Sequence, residues 1–179
     1  MIVELGHFAL VLAFIVAGVQ TLLPAIGAHR GDGRLMAIGE PAALVQVALL
    51  LLSFAALTYA FVTSDFSVVN TYQNSHSAKP LLYRISGVWG NHEGSMLLWV
   101  LILAIFGAAV AYFGTNLPAT LRARVLSVQA SIAFAFCLFI LATSNPFARL
   151  DPAPAGGRGL NPILRDPALA LHPPFLYMG

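Results

Sequence analysis

Apolar residues fall into four long runs, at about residues 6–28, 41–63, 95–113 and 123–143, separated by polar stretches of unequal length. Each run is close to the roughly 20 residues that carry an α-helix across a hydrocarbon core, so the pattern predicts four complete transmembrane helices. The apolar character that resumes at Phe175 predicts the start of a fifth span. The first run exceeds a signal-peptide core and has neither a basic leader nor a clear cleavage motif, so it is expected to stay as a helix. The fold class is therefore all-α: a polytopic integral membrane helical bundle, read as a single domain over residues 1–179.

Inside the runs, polar side chains are few. Pro24 near the end of the first run is tolerable if neighbours satisfy the carbonyl it frees. Gln46 is the only strongly polar residue of the second and reads as an interhelical hydrogen-bonding group, while Ser127, Gln129 and Ser131 give the fourth a polar flank. Between the runs, His29 to Arg34 and Gly114 to Arg122 are short turns. The 64–94 and 144–171 stretches are too long for simple turns, and loops of that length tend to carry function.

Basic residues orient this pattern. Arg30, Arg34, Arg122 and Arg124 crowd into the two short turns or the helix end beside them, and the positive-inside rule weighs short loops most heavily. The short turns are expected on the cytoplasmic side, with the N-terminus and the 64–94 and 144–171 loops exported. Composition agrees with a membrane chain: 59% hydrophobic and 9% charged residues, with a mean hydropathy of +0.83. A net charge of +2, with its cations scattered through loops, argues against a nucleic-acid partner. Cys137 is the single cysteine, so no disulfide or CxxC pair can form within the chain.

Two places carry candidate chemistry. Asn91, His92 and Glu93 stand at the mouth of the third run, flanked by Trp89 and Trp99. Asn91 and Glu93 there suit a helix N-terminus, and the tryptophans suit membrane interfaces, so capping competes with a binding role. His76, His92 and His172, with His7 near the same surface, gather on the expected exported face, and histidine is a common haem-iron ligand. Pro173 and Pro174 restrict the backbone at His172 toward an extended approach and a positioned imidazole, although the same Pro-Pro step also suits a helix start. No GxGxxG, P-loop or HExxH occurs, and helices 2 to 4 hold no histidine for an intramembrane bis-histidine cytochrome. A transporter is a third-ranked reading, because the spans lack midplane ionisable residues.

Trp89 to Val100 (WGNHEGSMLLWV), Thr143 to Phe147 (TSNPF), Leu160-Asn161-Pro162, Asp166-Pro167 and His172-Pro173-Pro174 together resemble the N-terminal part of the CcmF family, the haem lyases of bacterial cytochrome c maturation. Arg30 to Arg34 also resembles that family's first cytoplasmic loop. The resemblance implies a haem-handling subunit of the bacterial inner membrane. It would receive haem from the chaperone CcmE and assist thioether attachment to the CxxCH thiols of apocytochrome c, alongside CcmH/CcmI-type apocytochrome-presenting subunits and a second CcmF chain. It also implies His172 as one axial ligand to a transient haem, with Trp89, Asn91, His92 and Glu93 on a partner or haem face. No catalytic residue is singled out. Gly159 stands where an acid commonly precedes the Leu-Asn-Pro step. The sequence stops before the family's Trp-rich haem segment and second exported histidine. The expectation is a truncated product or one chain of a split lyase, inactive alone, with a non-catalytic membrane scaffold as the alternative.

Overall fold

The computed structural model describes residues 1–159 and 167–178. Among them the chain is helical: α1 (Ile2–Arg30), α2 (Gly33–Ala37), α3 (Gly39–Val62), α4 (Val69–Asn74), α5 (Leu81–Gly87), α6 (His92–Phe113), α7 (Ala119–Thr143) and α8 (Pro167–Met178), with a 3₁₀ turn at Gly114–Asn116 after α6. An isolated antiparallel bridge joins Val68 to Arg149. Four helical stretches are long and apolar enough to cross a membrane: Ile2–Arg30, Gly33–Val62, His92–Asn116 and Ala119–Thr143. Only 33–44% of the most apolar part of each is buried. The remainder of each window is partly or fully exposed, as a bilayer-facing helix requires and a water-facing one does not.

The chain folds as two compact units. The second, Ala9–Leu52 with Val100–Phe139, is a bundle in which α7 touches α1, α3 and α6. Phe14 stacks on Phe134 at 4.5 Å between ring centres, and Ala43, Ala111 and Leu126 form a buried cluster. Small residues let the helices approach, and two carboxamides bond across them. The Gln20 Nε2 amide donates to the Leu126 carbonyl at 3.3 Å, and that of Gln129 to the Leu103 carbonyl at 2.6 Å. Gln46 is buried, and its Nε2 meets no partner among the described residues. Ser127 and Ser131 bond back to carbonyls of their own helix instead of a neighbour.

The first unit, Met1–Phe8, Ser53–Trp99 and Ile140–Gly179, holds most of the polar chemistry. Helices α4 and α5 occupy the stretch expected to be loop, and both are too short to persist without tertiary support. Support for α4 comes from the strand-like pairing beside it, where the Leu150 amide donates to Ser67 at 2.7 Å and the Val69 amide to Ala148 at 2.9 Å. At α5 it comes from Arg84, whose guanidinium donates to the carbonyls of Lys79 (3.0 Å), Val62 (3.1 Å) and Ser77 (2.5 Å). Helix α8 begins at Pro167, eight residues ahead of the expected apolar restart at Phe175.

Candidate functional site

Asn91 closes the gap between α5 and α6. Its side-chain oxygen accepts from the Gly94 amide at 2.8 Å, capping α6, while its Nδ2 donates to the Gly87 and Val88 carbonyls at 2.8 and 3.0 Å. Both ends of the carboxamide are thus used by the backbone. Gly94 is required by the same turn, because a Cβ there would lie 1.6 Å from the Val88 carbonyl oxygen. This cap starts α6 at His92, so the polar triplet belongs to the helix's first turn and not to a preceding loop. His92 is exposed and Trp89 and Glu93 are half-buried beside it.

The Thr143–Phe147 motif is likewise structural in its local geometry. The Asn145 side-chain oxygen accepts from the Phe147 amide at 3.0 Å, and its Nδ2 stands 3.3 Å from His7 Nε2. An amide nitrogen can only donate, so His7 Nε2 accepts, and the ring also stacks near Phe147 at 6.0 Å. His7 is therefore occupied within the unit. Next to it Arg149 pairs with Glu4 and, at 3.2 Å, with Asp65. Partial desolvation of the guanidinium works against its charge, but Glu4 and Asp65 outweigh that and hold its pKa above the ordinary value. Nothing in the apolar pattern pointed to this hub. The acids lie far from Arg149 along the chain; the Val68–Arg149 bridge brings Asp65 beside it, and Glu4 reaches it from the first turn of α1.

His172 lies within α8, on helical backbone. The expected extended approach is not what the chain adopts. Proline's effect on the preceding residue is a preference, and here the helix already running from Pro167 overrides it. Pro173 and Pro174 still cannot donate to the helical ladder, so two bonds to carbonyls one turn earlier are missing just after His172. Among the described residues, α8 packs against α5, and Tyr177 lies 5.5 Å from Trp99 of α6 between ring centres. The imidazole is exposed and makes no hydrogen bond or ion pair among the described residues, the state an incoming metal would need. His76 and His92 are also exposed, but no group of three His, Cys, Asp or Glu that could hold a metal ion forms among the described residues. Leu160, Asn161, Pro162, Arg165 and Asp166 lie outside the described residues.

Comparison with known proteins matches these features to one group. The cytochrome c-type biogenesis protein ccl1 of Rhodobacter capsulatus is 64% identical over 179 residues, covering 100% of this chain and 27% of that protein. CycK of Rhizobium meliloti is also 64% identical over the whole chain, which spans 26% of it. CcmF of Pseudomonas aeruginosa is 52% identical, again with 100% of this chain and 27% of its own length covered. The chain thus spans about a quarter, 26–27%, of the length of these curated relatives. A solved structure titled Cytochrome c Heme Lyase CcmF superposes with a TM-score of 0.77 at 23% identity, over 85% of this chain and 26% of that one, which establishes the shared fold. The model of the family described as Cytochrome C assembly protein matches residues 89–179, the half that contains the Asn91 cap, the Asn145 turn and the His172 helix. With half of the chain matched by that pattern, this integral membrane protein belongs to the cytochrome c assembly protein family.

Proposed function

We propose that this chain is a haem-handling part of a cytochrome c biogenesis machine, in which His172 supplies one axial nitrogen to a transiently bound haem. The observation that carries the reading is the exposed imidazole, unengaged among the described residues, on a helix docked against α5 and Trp99. A neutral imidazole is a strong iron ligand, and docking limits the entropy lost when it binds. Haem is cargo here, taken from a CcmE-type chaperone and passed to the CxxCH thiols of an apocytochrome presented by CcmH/CcmI-type subunits. Trp89, His92 and Glu93 form the face that meets the haem or a partner. Asn91 serves that face by holding the α5–α6 turn.

The membrane is the bacterial inner membrane, with the 64–94 and 144–171 segments toward the periplasm. Alkaline phosphatase fused after Arg34 or Thr120 is expected to be inactive, and activity at either site would reverse this orientation. A second reading, a membrane scaffold that only positions partners, draws on the purely structural use of Asn91 and Asn145. The two separate in a chimera in which these residues replace the corresponding quarter of a full-length relative. His172→Ala is expected to lower covalently attached cytochrome haem and haem retained by the purified complex, and added imidazole to restore part of the retention. Unchanged haem retention in His172→Ala would leave the scaffold.

A further inference from the structure

The first unit contains a cavity of about 450 Å³ lined by His76, Lys79, Pro80, Tyr83 and Arg158. Its size lies within the roughly 300–1,000 Å³ of small-molecule sites. The polar side chains around it are donors, and no carboxylate lines it among the described residues. Arg158 lies over the Tyr72 ring at 5.3 Å, and its backbone amide donates to the Tyr72 carbonyl at 2.7 Å. Its guanidinium meets no carboxylate or carbonyl acceptor among the described residues, leaving the planar fork with its donors unspent. His76 Nδ1 accepts from the Ala78 amide at 3.1 Å, which puts the proton of the neutral ring on Nε2.

The walls are held in place before any ligand arrives. Arg84 ties down the carbonyls of Ser77 and Lys79. At Gly159, which also lines the cavity, the amide donates to Ser75 at 3.1 Å, and a Cβ on Gly157 would come within 2.0 Å of the Ser75 carbonyl oxygen. A donor-lined, preorganised cavity is complementary to an oxyanion, and an Arg fork binds planar carboxylates in a bidentate manner. Tyr83 belongs to α5, and α5 also packs against α8, which carries His172.

We infer that this cavity binds the carboxylate side chains of the porphyrin whose iron is offered to His172, an assignment that rests on the haem-handling reading above. Carboxylate and phosphate share this chemistry, so a phospholipid headgroup is the competing source. The test uses the full chain in detergent, titrated with haem and with haem dimethyl ester, followed by difference absorbance. Haem is expected to bind more tightly than the ester. Arg158→Gln, an exposed position, should weaken haem about tenfold, the scale of one lost charge-assisted hydrogen bond, and leave the ester unchanged. Unchanged ester binding also reports that the variant is folded, and His76→Gln should act in the same direction with a smaller effect. Equal binding of haem and ester, sensitive to His172→Ala but not to Arg158→Gln, would overturn the inference while leaving the haem-handling reading intact. Arg158 dependence without His172 dependence would support the cavity and count against ligation, whereas no porphyrin binding at all would overturn both. In nanodiscs, Arg158-dependent retention of phosphatidylglycerol over phosphatidylcholine, with haem and ester bound equally, would reassign the cavity to phosphate headgroups.

Discussion

The two units use polar side chains in opposite ways. In the second, the buried Gln20 and the half-buried Gln129 reach across to the backbone carbonyls of Leu126 and Leu103, and the ion pair of Arg122 with Glu40 is 3.4 Å long and partly exposed. In the first, guanidinium groups organise short helices and loops: Arg84 gathers three carbonyls and Arg149 gathers two acids. A carboxamide that bonds a carbonyl adds no charge to an apolar environment, so it suits helices with lipid-facing flanks. A guanidinium can satisfy several acceptors and still present donors, so it suits segments that must be ordered and also receive a ligand. The contrast separates polar groups that hold helices together from polar groups that build a receiving surface.

That contrast can be broken most forcefully at Gly94. Gly94→Ala places a methyl group against the Val88 carbonyl, where backbone must move, and should cost about 3 kcal/mol, near the upper end for overpacking. A thermal melt in detergent should show the loss, and a melt within a degree of the parent would mean the turn is not rigid. Next in size is Arg84→Met, which leaves three carbonyls without their donor and should cost about 2 kcal/mol. Arg84→Lys should recover little of it, because one ammonium cannot reproduce the fork; full recovery would show that charge alone suffices. The smallest effect is expected in the second unit. Gln129→Leu removes an interhelical bond worth about 0.6 kcal/mol by the average for membrane bundles. If it costs as much as Arg84→Met, the proposed difference between the units disappears.

Runs of apolar residues made the four long helices legible, because a chain in hydrocarbon must satisfy its own backbone and advertises the segments that do so. Their starts were less visible. Helix α6 begins at His92 and α7 at Ala119, since a polar first turn is allowed once a cap such as Asn91 takes the free amides. Helices α4 and α5 were hidden, since Arg84 and the Val68–Arg149 bridge, not local propensity, hold them. His172 stood out beside two prolines, but its helical backbone did not, because helix α8 depends on partners from α5 and α6. Arg158 sits in a Gly-rich segment with no periodic signal, and only the fold sets it beside His76.

The Trp99–Tyr177 contact also gives the molecule an optical probe of its own. The sequence holds only two tryptophans, so replacing Trp89 by Phe leaves one indole, and that indole touches the helix that carries His172. Its emission should then respond to any undocking of α8. Haem absorbs where indole emits, so arrival of cargo at His172 should dim the same signal by energy transfer. Helix movement and haem arrival become readable from a single unlabelled residue, the first as a change in wavelength and the second as a loss of intensity.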